Sequence, residues 1–258
     1  MKTPISYYGG KQTLLRHILP LVPKHTTYTE AFAGGAALFF AKEPAVVEVI
    51  NDINSNLITF YKVLKTDFPA LKAEIDKTLH SRDAHLKASI IYNYSRLFDP
   101  IERAWAVWVL SRQGFASKLD GSWGYDKVRN SVAKKIQNAK DDLTIAFQKR
   151  LEHTQIECTD ALRIIRSRDT KETFHFVDPP YIGTDCGHYA NAFDESNFKE
   201  LLGLLSTLEG KYMLTMFPHP ILAEFIEQEH CNVVEVERQI TASKTKRRNQ
   251  VELILMNY

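Results

Sequence analysis

Phe174-His175-Phe176-Val177-Asp178-Pro179-Pro180-Tyr181 joins a buried-strand pattern to an abrupt stop. The first four residues are two aromatics, a β-branched residue and a histidine, which reads as a short interior strand. Asp-Pro-Pro cannot continue a sheet ladder, so the chain leaves the sheet at Asp178. In an open α/β sheet, ligands sit outside the carboxyl ends of the strands, which places this tetrapeptide where chemistry is expected. Asp178 offers a carboxylate acceptor. Pro179 lacks an N–H, yet its carbonyl still accepts, and Pro180 stiffens the pair. Tyr181 offers a flat ring. Two acceptors and a ring suit the gripping of an exocyclic amino group on a nucleobase. The plainer reading is a strand closed by prolines and an acidic turn, and the rest of the chain has to decide between them.

The upstream half supplies a second strand-and-turn unit. Thr26-Thr27-Tyr28-Thr29-Glu30-Ala31-Phe32 reads as a strand, Ala33-Gly34-Gly35 as a turn and Ala36 to Lys42 as a helix. That order opens a nucleotide-binding α/β fold, but the glycine spacing is not that of a dinucleotide site. Glu30 stands at the strand end, where it is expected to face a cationic or amino group of a ligand, with Phe32 and Gly34 beside it. The next strand, Val46 to Ile50, ends in Asn51-Asp52, and Asp52 is placed to accept from ribose hydroxyls. Helix capping is the competing role for Asp52. Earlier still, Tyr7-Tyr8-Gly9-Gly10-Lys11 combines aromatics, paired glycines and a lysine without forming a phosphate-binding loop.

Residues 55–152 lack strand–helix alternation. Leu57, Ile58, Tyr61 and Leu64, and again Ile101, Trp105, Trp108 and Val109, recur at helical spacing. This stretch holds 17 Lys+Arg against 11 Asp+Glu, a balance of +6, whereas the remainder holds 16 against 20, a balance of −4. The whole chain carries only +2. A basic middle within a nearly neutral chain suggests one region that meets a polyanion. Between its helices, Ser111 to Asn130 mixes glycines with Arg112, Lys118, Trp123, Tyr125 and Arg129, a composition suited to a nucleic-acid groove. Lys134 to Arg150 reads as one closing helix.

The α/β pattern then resumes. Gln155 to Cys158 reads as a strand leading to Asp160, whose simplest role is a helix N-cap. The loop from Ile182 to Phe193 is a candidate for closing over substrate. Helical patterns at Asn197 to Leu208 and Ile221 to Glu229 flank a strand at Tyr212 to Met216. Val233 to Ile240 and Val251 to Met256 read as a hairpin, and its connection carries Lys244, Lys246, Arg247 and Arg248 with no acid. Four cations on one loop fit phosphate contacts. The three cysteines form no metal or redox pattern, and no apolar run is long enough to span a bilayer or serve as a signal. No metal or membrane is therefore expected, and a cytoplasmic setting is.

Taken in order, Tyr8-Gly9-Gly10-Lys11, Glu30 to Gly35, Asn51 to Asn54, Asp178 to Tyr181 and the ending Val251 to Tyr258 resemble the DNA adenine methylases of the GATC-modifying type. These are S-adenosylmethionine-dependent N6-adenine methyltransferases. Many relatives carry Trp where Tyr7 stands and Pro where Ala31 stands. The resemblance implies a Rossmann-like α/β methyltransferase fold, with a mixed sheet ending in an antiparallel hairpin and a helical insertion. It implies a catalytic domain of residues 1–54 and 153–258, and a target-recognition insertion of 55–152. S-adenosylmethionine contacts are expected from Tyr7, Lys11, Glu30, Phe32, Gly34, Asp52, Asp160 and Asp178, and catalysis from Asp178, Pro179, Pro180 and Tyr181. Double-stranded DNA is the expected partner of a monomeric enzyme, through Arg112, Lys118, Trp123, Tyr125, Arg129 and the four cations of the hairpin. The Tyr181 ring, rather than its hydroxyl, is expected to matter, by stacking on a flipped base. Methylation of cytosine N4 or of RNA adenine, or DNA binding without catalysis, are the alternatives. Methylation-free DNA, single strands and RNA offered as substrates separate them.

Overall fold

The computed structural model describes residues 1–128, 130–182, 193–240 and 248–258, with backbone alone at 238–240 and 248–249. The chain forms two compact units.

The first unit comprises Met1–Leu15, Ala33–Lys42 and Asp52–Cys158. Its helices run Ala37–Ala41, Ser55–Thr66, Phe68–Lys77, Arg82–Asn93, Pro100–Gln113, Ser131–Asp142 and Ala146–Leu151. Local signals start several of them. Asn54 accepts the N–H groups of Asn56 and Leu57 at the head of Ser55–Thr66. Asp99 and Glu102 form a reciprocal capping box around Pro100, which needs no N–H at the first helical position. Leu57, Phe60, Tyr61 and Leu64 bury one face, as do Ala104, Val107 and Trp108 of Pro100–Gln113. Trp108 is wholly buried, whereas Trp105 keeps its indole N–H on the Thr78 hydroxyl at 2.6 Å.

One expectation changes here. The helix expected from Lys134 to Arg150 is two helices, because Leu143 turns extended after Asp142. Residues before Asp52 also contribute to this compact unit. Arg112 donates to the Ser6 hydroxyl at 2.8 Å and the Pro4 carbonyl at 2.9 Å, Phe40 packs edge-on against Phe147, and the Arg150 guanidinium lies 3.7 Å from the Phe39 ring centre. The N-terminal segment and the helix after the glycine turn therefore pack with the helical region.

Among the described residues the strands are, in chain order, β1 (Thr27–Glu30), β2 (Val47–Asn51), β3 (Gln155–Glu157), β4 (Thr173–Val177), β5 (Lys211–Met216), β6 (Asn232–Ile240) and β7 (Arg248–Met256). All but β3 belong to the second unit, made of Arg16–Phe32, Glu43–Asn51 and Thr159–Tyr258, where they run β2-β1-β4-β5-β7-β6. The first four are mutually parallel, and β7 pairs antiparallel with both β5 and β6. Together with its flanking helices this is the mixed sheet of a Rossmann-like fold. β4 is buried at all five positions, as an interior parallel strand should be. Helices Ala161–Arg168, Glu195–Leu205 and Pro220–Glu229 cover the sheet through Ile164, Ile165, Phe198, Leu201, Leu202 and Leu222.

Among the described residues no helix is long and apolar enough to cross a membrane, and no cluster of His, Cys, Asp or Glu could hold a metal ion.

Candidate active site

In the second unit the strand register builds the site around Asp178. β1 and β4 are neighbours from which the sheet grows in opposite directions, the position where α/β sheets place ligands. Val177 pairs with Leu214, so Asp178 emerges beside Thr215 on β5. The Thr215 hydroxyl donates to Asp178 Oδ1 at 2.7 Å. On the next strand, Leu253 stands opposite Met216 and Ile254 opposite Thr215. Side chains alternate along a strand, so Thr215 and Phe217 share a face with Ile254 and Glu252. That register explains two further interactions. The Tyr181 hydroxyl donates to Glu252 Oε1 in a short hydrogen bond, and the Tyr181 ring meets Phe217 edge to face, with centroids 4.5 Å apart. Thr215 and Glu252 are both fully buried. Burial, reinforced by the negative charges of Asp178 and Glu252, holds the Tyr181 hydroxyl well above the usual tyrosine range, so it stays a donor. Pro179 is buried and Pro180 half-buried beside them.

The hydroxyl of Tyr181 is thus engaged as well as its ring. Sequence reasoning assigned no role to Thr215 or Glu252, although Glu252 lies in the closing motif Val251 to Tyr258. Glu252 did leave a trace, as an acid standing at alternating register with apolar Ile254 and Met256. Thr215 left none.

Of the other expected residues in this unit, Glu30 is buried and accepts the Tyr28 hydroxyl at 2.7 Å. Phe32 packs edge-on against Phe193, which leads into helix Glu195–Leu205. Asp160 is exposed and caps helix Ala161–Arg168 through the Arg163 N–H, the simpler of its two readings.

In the first unit the glycine turn and the acid after β2 are joined directly. Asp52 is buried, accepts the Gly34 N–H through Oδ2 at 2.9 Å and accepts the Asn54 N–H through Oδ1 at 2.9 Å. The Tyr61 hydroxyl donates to the Gly34 carbonyl at 2.7 Å. Capping of the following helix falls to Asn54, so the capping role read for Asp52 lies two residues further on. Gly34 has φ of +48°, and a Cβ there would lie 3.0 Å from the Tyr7 ring. Tyr7 therefore packs directly on the turn. Lys11 is buried and donates to the Gly9 carbonyl at 3.0 Å.

Gly34→Ala is expected to lose about 1–3 kcal/mol of stability, from left-handed strain together with the displaced Tyr7 ring. Gly203→Ala, on helix Glu195–Leu205 with open space around it, is the control. It should leave stability unchanged or raise it by up to about 1 kcal/mol. Urea unfolding of both variants reads the difference, and equal midpoints would remove the steric argument.

The residues expected at DNA divide sharply. Arg112 turns inward: it also donates to the Thr3 carbonyl at 3.3 Å, and burial pulls its pKa down to about 10, a value at which it stays charged. Its visible work is bracing the N-terminal segment. Trp123 and Tyr125 stack on each other at 5.3 Å and 18°, and the Arg82 guanidinium lies 4.7 Å from the Trp123 ring centre. Backbone bonds between Phe115 and Ser122 and between Gly124 and Gln113 tighten this stretch into a narrow turn rather than an open loop. Lys118 lies 4.7 Å over the ring of exposed Tyr8. Arg129, Lys244, Lys246, Arg247, the side chain of Arg248 and the interior of the Ile182–Phe193 loop lie outside the described residues.

A model of D12 class N6 adenine-specific DNA methyltransferases matches residues 7–239, and the chain belongs to that family. It is 27% identical over 271 residues to the type II methyltransferase M1.LlaDCHI of Lactococcus lactis subsp. cremoris, across 97% of this chain and 93% of that protein. Type II methyltransferase M.MjaIII of Methanocaldococcus jannaschii is 24% identical over 294 residues, across 100% and 99%. The DNA N-6-adenine-methyltransferase of Escherichia phage P1 is 24% identical over 184 residues, across 67% of this chain and 23% of that protein. The family's activity is N6-adenine methylation of DNA, with S-adenosylmethionine as the cofactor. The residues present suit that cofactor. Two backbone N–H groups orient Asp52, and a carboxylate with about four acceptor positions suits hydroxyl donors.

Proposed function

We propose that this chain methylates N6 of adenine within a specific duplex DNA sequence, acting on a base turned out of the helix. The observation that carries the reading is Asp178, oriented by Thr215 at the carboxyl end of β4 and followed by Pro179 and Tyr181. The chemistry S-adenosylmethionine supplies is a methyl group on a sulfonium, a good leaving group. Adenine N6 is the harder partner, because its lone pair is delocalised into the ring. Asp178 and the Pro179 carbonyl accept the two N6–H bonds, which turns the lone pair out of conjugation and stabilises positive charge as it develops. The Tyr181 ring stacks on the base. Asp178 need not act as a strong base, since the methylated amine becomes acidic and loses its proton late. Asp52 holds ribose hydroxyls, while Tyr7 and Lys11 complete the cofactor site. Residues 55–152 read the target.

Expression in a methylation-free host, followed by sequencing for N6-methyladenine, tests the function and yields the recognition site. GATC is the first sequence to look for. Methyl transfer confined to RNA or to cytosine would overturn the acceptor assignment, and DNA binding without methyl transfer would overturn catalysis.

The hairpin cations extend the proposal to the DNA backbone. Replacing Lys244, Lys246, Arg247 and Arg248 by alanine should weaken target and non-target duplexes alike. The logarithmic salt slope should fall by roughly 0.9 for each phosphate that is no longer neutralised. Parallel slopes for wild type and variant would leave the loop as a solvated turn.

A further inference from the structure

We propose that Glu252, on the antiparallel strand β7, is a positioning residue for methyl transfer: by accepting the Tyr181 hydroxyl it sets the plane of the ring on which the target base stacks. The inference rests on the reading of Tyr181 as the stacking platform.

Three observations lead to it. Tyr181 follows two prolines and leaves the sheet, so backbone pairing in β4 does not hold its ring. The ring is held instead by side chains of strands beyond β4, Phe217 edge-on after β5 and Glu252 at the hydroxyl. Glu252 is fully buried, followed on the same face of β7 by the apolar, buried Ile254 and Met256. Burying an acid there is costly unless the charge is used. An ordinary tyrosine on a stacking surface needs only its ring. Here the hydroxyl is bonded to Glu252 and the ring packs against Phe217 at 80°, and the two contacts together restrict swing and tilt of the ring. Thr215 does the same for Asp178 from β5. Thr215, Phe217 and Glu252 thereby support the reactive tetrapeptide from positions 36 or more residues away from the residues they touch.

The test uses the full chain, S-adenosylmethionine with a tritiated methyl group and methylation-free plasmid DNA, under single-turnover conditions. Melting temperature and cofactor affinity are measured for each variant. Tyr181→Phe and Glu252→Leu are each expected to slow transfer about tenfold, the lower end of what a hydrogen bond to a charged group is worth. The double variant should be no slower than the slower single, because both ends of one bond are then gone. Glu252→Gln keeps an acceptor oxygen and should stay within about threefold of wild type. A purely structural glutamate would lower the melting temperature and leave the rate of folded enzyme alone. Losses that multiply in the double variant, or a wild-type rate in Tyr181→Phe, overturn the inference. The Phe variant alone decides if Glu252→Leu does not fold. Tyr181→Ala separates the two levels: a wild-type rate there overturns the stacking reading itself. A crippled Ala variant beside a fully active Phe variant overturns only the role of Glu252.

Discussion

Asp178→Ala is expected to lower methyl transfer by ~10²–10³-fold, the loss that follows removal of one positioned partner of a developing charge. In the structure Asp178 is fixed by the Thr215 hydroxyl, so the carboxylate is preorganised rather than recruited during the reaction. Truncation also strips that buried hydroxyl of an acceptor, at a cost of about 1–3 kcal/mol if nothing replaces it. The rate must therefore be read on enzyme shown to be folded. Asp178→Asn is the companion variant. It keeps an acceptor for Thr215 and removes the negative charge. If charge stabilisation is the role, Asn falls nearly as far as Ala while the melting temperature recovers. Single-turnover transfer decides the matter, and near wild-type turnover in either folded variant would end the assignment of Asp178 to catalysis.

Asp52→Ala should raise the dissociation constant for S-adenosylmethionine by about 10- to 100-fold, with little change in DNA affinity. A hydrogen bond from a hydroxyl to a carboxylate is worth roughly 1.5–3 kcal/mol. The structure adds a second route to the same loss, because Asp52 also holds the Gly34 and Asn54 N–H groups. Titration calorimetry reads the affinity, and thermal unfolding without cofactor reads the turn. An unchanged dissociation constant with a lowered melting temperature would leave Asp52 as an anchor of the turn alone. Asp52→Asn sharpens the comparison, since one acceptor oxygen remains for the backbone while the charge on the hydroxyl partner is gone.

Both residues stand out in the sequence for the same reason. Each follows a strand pattern and precedes a break, Asp178 before two prolines and Asp52 before the cap Asn54. A strand end in a parallel sheet is a ligand position whatever the tertiary details. Which residue caps the next helix needed the structure, since Asn51-Asp52-Ile53-Asn54 also allows Asp52 as the cap. The cap is Asn54. Arg112 shows the opposite case. In sequence it is a cation between glycines and aromatics; in the structure its guanidinium braces Thr3, Pro4 and Ser6. Composition cannot tell an arginine that faces solvent from one that snorkels inward, because both keep the same neighbours along the chain.

By itself the sequence determined what local spacing encodes. The α/β alternation, the helical middle, the terminal hairpin, the cap at Asp160 and the stop at Asp178 all follow from interactions within four residues or from the period of apolar positions. The tertiary structure alone decided which distant residues meet. Glu252 reaches Tyr181 across 71 positions, and Thr215 reaches Asp178 across 37, only because β5 and β7 adopt one register against β4 and against each other. Shifting a strand by one residue would turn Glu252 to the opposite face and leave every local pattern unchanged. The division into compact units was settled in the same way, by side chains of the helical region closing on Met1–Leu15 and Ala33–Lys42. Register and burial are properties of the whole folded chain, so no window of sequence contains them.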